Sequence, residues 1–128
     1  MISNEFWIAA GGVHSVALFL FHLGFWRLLG WKKDLRHVSP VNRAVMQILN
    51  LRIIYIFGAL AIACFYFRGE LLESKVGIGL LGAASLFWVG RLVEQIIFLR
   101  NGNWMVHALT AMFVLGAVIF AMPLVNRL

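Results

Sequence analysis

With 128 residues, 62% of them hydrophobic and only 12% charged, the chain has too few polar side chains to cover a water-soluble globule of its size, and its mean hydropathy is +0.91. This excludes a soluble enzyme or nucleic-acid-binding module and points to an integral membrane protein. The net charge of +6 comes without a basic domain outside the apolar segments, so it reads as a topology signal and a surface for anionic lipid head groups, not a nucleic-acid footprint.

The opening Met1-Ile2-Ser3-Asn4-Glu5 lacks the basic residues of a signal peptide. The first apolar segment, about residues 6–30, is too long for a cleaved hydrophobic region and is expected to remain as a spanning helix. Gly11, Ser15, Leu18 and His22 recur along it at helical spacing, a stripe of small residues ending in a histidine, as expected of a face turned towards neighbouring helices. His14 lies off that stripe, near mid-segment, and reads as a packing residue. The following loop, Trp31-Lys32-Lys33-Asp34-Leu35-Arg36-His37-Val38-Ser39-Pro40, has Arg27 and Arg43 at its shoulders. By the positive-inside rule it faces the cytoplasm, which puts the N-terminus and the C-terminus outside.

Ser39 reads as the N-cap and Pro40 as the first helical residue of the second segment, about 41–67. Arg43, Gln47 and Asn50 form a stripe on it, with Arg52 close by. The lone Cys64 can form no internal disulfide and reads as a small hydrophobe. The next loop balances Arg68 and Lys75 against Glu70 and Glu73. In the third segment, about 76–99, Arg91, Glu94 and Gln95 share a face by their i, i+3 and i+4 spacing. Asn101-Gly102-Asn103 reads as a tight turn into the fourth segment, about 104–124, where His107, Thr110, Ala111 and Val114 line up and Pro123 falls in the last turn. Trp7, Trp26, Trp31 and Trp104 read as interfacial anchors. The expected fold is all-α: a single transmembrane domain over residues 1–128, built as an integral membrane four-helix bundle of antiparallel up-down hairpins.

Counting ~1.5 Å per residue inward from the outer ends places the polar residues of these segments at one depth. His22 comes at about 24 Å, Asn50 and Arg52 at about 22 to 26 Å, Arg91 and Glu94 at about 21 to 26 Å, and His107 at about 25 Å. Ionisable groups gathered inside a bilayer mark a functional site by default, so His22, Asn50, Arg52, Arg91, Glu94, Gln95 and His107 are the candidate ligand- or cofactor-binding residues. Two arginines face one glutamate in that layer, which favours an anionic occupant. The competing reading is structural: Arg91 and Glu94 neutralise one another, the histidines only pack, and Arg52 snorkels to the interface.

Three classes of function can use such a layer. His22 and His107 can serve as axial ligands of haem b, with Arg52 or Arg91 meeting its propionates, or join Glu94 in a two-histidine, one-carboxylate site for a divalent metal. A pocket open to the cytoplasm can take a lipid, an isoprenoid or a small anion, for catalysis or, in a homo-oligomer, for small-solute transport. Third, the layer can pair with a partner membrane subunit, making the chain an accessory or structural component. No hydrolase triad, P-loop, CxxC pair or HExxH sequence is present, so no catalytic residue is assigned.

His22, the Asn42-Arg43 pair, Phe87-Trp88 followed by Arg91-Leu92 and Gln95, and His107 together resemble a group of uncharacterised small four-helix bacterial integral membrane proteins. The resemblance spans most of the chain and implies the four-helix fold but no activity. The expected location is a bacterial inner membrane. Glu94 is not part of that pattern, so a mechanism needing a carboxylate there draws nothing from it.

Overall fold

The computed structural model describes residues 2–100 and 102–128. Every regular element among them is helical: α1 (Asn4–Leu23), α2 (Phe25–Leu28), α3 (Trp31–Asp34), a 3₁₀ turn (Leu35–His37), α4 (Pro40–Tyr66), α5 (Arg68–Glu73), α6 (Lys75–Phe98) and α7 (Trp104–Val125). Four of them, α1, α4, α6 and α7, are long and apolar enough to cross a membrane, with 20, 27, 24 and 22 residues against the ~20 that a hydrocarbon core requires. At most about a third of each one's most apolar stretch is buried within the protein, leaving side chains such as Leu20, Tyr55, Leu86 and Phe98 uncovered. Helices that are apolar on their outward faces as well need an apolar surrounding. The chain is all-helical and fits a small membrane protein.

Helix ends follow local chemistry. Composition alone runs the first apolar segment on to residue 30, yet α1 stops at Leu23 because the backbone turns at Gly24, whose N–H is shared between the carbonyls of Leu20 (3.3 Å) and Phe21 (3.1 Å). Gly30 then adopts the left-handed region at φ 61 and ψ 37, where a side chain would be strained, and this redirects the chain into α3. Pro40 opens α4, and Ser39 Oγ accepts from the Asn42 N–H at 3.4 Å. Ser74 Oγ caps α6 by accepting from the Gly77 N–H at 2.8 Å, and it donates to the Glu70 carbonyl at 2.7 Å. A Cβ on Gly77 would strike the Glu70 carbonyl and come within 2.5 Å of Leu71 Cα, so only glycine lets α5 and α6 approach this closely. Asn103 Oδ1 caps α7 by accepting from the Met105 N–H at 3.1 Å. The expected turn through Asn101 lies outside the described residues.

By internal packing the chain divides into two compact units, one formed by the chain up to Gly11 with Ala63–Leu128, the other by Gly12–Ile62. In the first, α6 lies along α7. Ser85 Oγ donates to the Ala117 carbonyl (2.8 Å), Trp88 stacks on Phe113 (centroids 5.6 Å apart) and Gln95 Nε2 donates to the Val106 carbonyl (3.1 Å). Partner numbers fall along α7 as they rise along α6. Leu81, Trp88, Ile119 and Phe120 are buried there, and Asn126 Nδ2 donates to Asn4 Oδ1 at 2.8 Å. In the second unit Leu18, Ile54 and Phe57 are buried, and the space for a Cβ on Gly58 meets the Phe19 ring at 3.3 Å.

Candidate functional site

His22 sits in the last turn of α1, where backbone carbonyls have no donor from their own helix. Asn50 of α4, only 5% exposed, supplies one: its Nδ2 donates to the His22 carbonyl at 3.0 Å, while its Oδ1 lies 2.9 Å from His22 Nδ1. A backbone carbonyl can only accept, which fixes the amide orientation. Oδ1 therefore accepts from Nδ1–H, so Nδ1 carries a proton, and in the neutral form of the ring the lone pair falls on Nε2. Phe25 lies tilted over the imidazole with centroids 4.2 Å apart, and Phe57 is 5.3 Å away. Next to this pair lies a shallow, open groove of about 270 Å³, lined by Phe25, Trp31, Met46, Leu49 and Ile53, with His22 and Asn50 as its polar groups.

The other polar residues of α4 turn to different tasks. Gln47 Oε1 accepts from Trp26 Nε1 at 3.0 Å, and its Nε2 donates to the Arg43 carbonyl at 3.2 Å. Arg43 donates from Nε to the Leu35 carbonyl (2.8 Å) and from Nη2 to the Val38 carbonyl (3.3 Å), pinning the preceding loop. Arg52 is exposed, with its guanidinium carbon 5.6 Å from the centre of the Tyr55 ring. Trp31, read from sequence as an interfacial anchor, is buried against Phe25 and Trp26.

The first unit holds the remaining candidates. Arg91 places its guanidinium 4.7 Å from the centre of the Phe113 ring and only 3.9 Å, at its nearest, from Glu94, whose carboxylate side chain is 60% exposed. This is the one ion pair among the described residues, and a loose one. Gln95 is buried; its Nε2 is shared between the Val106 carbonyl and Thr110 Oγ1 (3.4 Å), and Thr110 Oγ1 itself donates to Val106 at 2.9 Å. Gln95 Oε1 is buried with no hydrogen-bond partner among the described residues, a state that costs ~1 to 3 kcal/mol until a water or ligand donor answers it. His107, in the first turn of α7, is exposed.

The structure thus joins His22 with Asn50 in one unit, and Arg91 with Glu94 and Gln95 with Thr110 in the other. No group of three His, Cys, Asp or Glu side chains that could hold a metal ion occurs among the described residues, so the set His22, Glu94 and His107 gains no support as a metal centre. Sequence reasoning missed Phe113 as the partner of Arg91 and Phe25 as the cover of His22. The second was within reach, since Phe25 lies three residues after His22; nothing in the sequence pairs position 91 with 113.

No family model, curated protein or solved structure matches the chain.

Proposed function

We propose that this membrane protein binds an amphipathic ligand at His22 and Asn50. The carrying observation is the pair of hydrogen bonds between Asn50 and His22, one donated to the His22 carbonyl and one accepted from Nδ1 of its imidazole, which orients the ring beside an apolar groove. A ring held this way can use Nε2 to accept from a hydroxyl or, once protonated, to donate to an anionic head. Phe25, Trp31, Met46, Leu49 and Ile53 suit a hydrocarbon or isoprenoid body. The same Nε2 lone pair is what a haem iron would take as an axial ligand, which makes haem the cofactor variant of this reading.

The falling partner numbers within each unit support two antiparallel hairpins, α1 with α4 and α6 with α7. The basic residues from Arg27 to Arg43 support a cytoplasmic loop there, with both termini outside, in a bacterial inner membrane. Arg52, Arg91, Glu94, Gln95 and His107 remain proposed site residues, each to be tested by its own variant.

Organic extraction and mass spectrometry of the detergent-purified protein, with an absorption spectrum and metal analysis, test the proposal. One co-purifying amphipathic molecule is expected. A Soret band would select haem; a preparation with neither would favour the second reading, a structural or accessory subunit. That reading has its own support: both polar bonds of Asn50 end on His22, a clasp complete without a ligand.

A further inference from the structure

We infer that a second groove, at the start of α4, binds the phosphate head of an anionic phospholipid. It is an open groove of about 470 Å³, lined by Trp26, Trp31, Lys32, Arg36, Arg43 and Gln47. Three of those side chains are cationic and none is acidic. Lys32, Arg36 and Arg43 take part in no ion pair among the described residues, where the pair of Arg91 with Glu94 stands alone. Asp34, the one acid of the loop, does not line the groove. Like charges converging on one concavity raise the local potential and draw in an anion.

The walls are held before any ligand arrives. Arg43 is fixed by its bonds to the carbonyls of Leu35 and Val38, so its guanidinium both closes the loop and presents its charge at a set position. Trp31 is packed edge-on against Trp26 with centroids 5.4 Å apart, and Trp26 is tied to Gln47. Lys32 and Arg36, four residues apart on α3 and the 3₁₀ turn, remain exposed at the rim. A preset site loses less freedom on binding than a mobile one.

Position selects a lipid as the source of the phosphate. The groove lies just past the C-terminal end of α1 and beside the first two turns of α4, both of spanning length, so it falls where head groups lie and where indole rings favour the interface. The stretch from Arg68 to Lys75 offers nothing comparable, because Glu70 and Glu73 offset its two cations. Guanidinium and ammonium donors match phosphate oxygens, while Trp31 and Leu35 give the glycerol and first acyl carbons an apolar wall.

The test uses the full-length protein in detergent, probed by native mass spectrometry with phosphatidylglycerol, phosphatidylcholine and inorganic phosphate. Lys32→Gln with Arg36→Gln removes two rim charges from exposed positions. Arg27→Gln with Lys33→Gln removes the same charge outside the groove. Expected is retention of phosphatidylglycerol by the wild type, weakened about tenfold or more in the first pair and less than about twofold in the second. Phosphatidylcholine should not be retained, and inorganic phosphate should not displace the lipid. Equal losses in the two pairs would reveal diffuse surface charge and overturn the site. Displacement by inorganic phosphate would overturn the lipid assignment, and retention of phosphatidylcholine, or of no lipid, would overturn the proposal as a whole.

Discussion

His22 and Asn50 clasp α1 to α4 through two hydrogen bonds of 2.9 and 3.0 Å, one to the imidazole and one to the carbonyl of the same residue. Asn50 therefore closes the end of α1 as well as orienting the ring. Side-chain hydrogen bonds between membrane helices average ~0.6 kcal/mol and reach ~1.7, so Asn50→Ala should cost about 1 to 3 kcal/mol. Asn50→Asp should cost at least as much, since it replaces the donor by an acceptor facing a carbonyl. Arg52→Ala, at an exposed position, should change little. Thermal unfolding in one detergent would rank the three, and an unaltered Asn50→Ala melt would remove the clasp.

The same geometry fixes the histidine tautomer. Nitrogen NMR of a ring-labelled sample should show a proton on Nδ1 of His22, and Asn50→Ala should release that preference towards a mixture. A wild-type ring protonated on Nε2 instead would mean that the amide oxygen does not face the imidazole.

Arg91 leans on Phe113 more than on Glu94, given a guanidinium 4.7 Å from the ring centre and a carboxylate 3.9 Å away and mostly uncovered. Phe113 is also buried against Trp88. Phe113→Leu should therefore lower stability by about 1 to 2 kcal/mol through lost stacking and cation–π attraction. Glu94→Gln should shift the melt less. The reverse order would restore the ion pair as the main partner of Arg91.

How far these contacts could be read from sequence differs by residue. Counting ~1.5 Å per residue put His22 and Asn50 level, and those two side chains meet. Depth says nothing about direction: Arg52 is two residues from Asn50, ~200° further round the helix, and it turns outward. Periodicity aligned Arg91 with Glu94 but could not foresee Phe113, because the rotation of α7 against α6 is set by packing around Trp88. The four helices of spanning length were plain from composition, whereas the end of α1 at Leu23 was not. Leu23-Gly24-Phe25 is apolar on both sides of the break, and the local backbone alone ends the helix there.

The proposed cytoplasmic loop rests on the unbalanced cations between Arg27 and Arg43. In a Cys64→Ala background, Lys33→Cys should resist a membrane-impermeant thiol reagent in intact cells and Ser74→Cys should react. Labelling of Lys33→Cys from outside would invert the topology.

Ligand binding at His22 is tested most directly by comparing native mass spectra of the wild type and of His22→Leu, released from the same detergent and matched for folding by circular dichroism. The wild type should carry one small amphipathic molecule per chain, and His22→Leu should lose it while retaining the lipid bound near Lys32 and Arg36. A bare wild-type protein, or the same molecule held at equal occupancy by both, would contradict a ligand-binding role for His22.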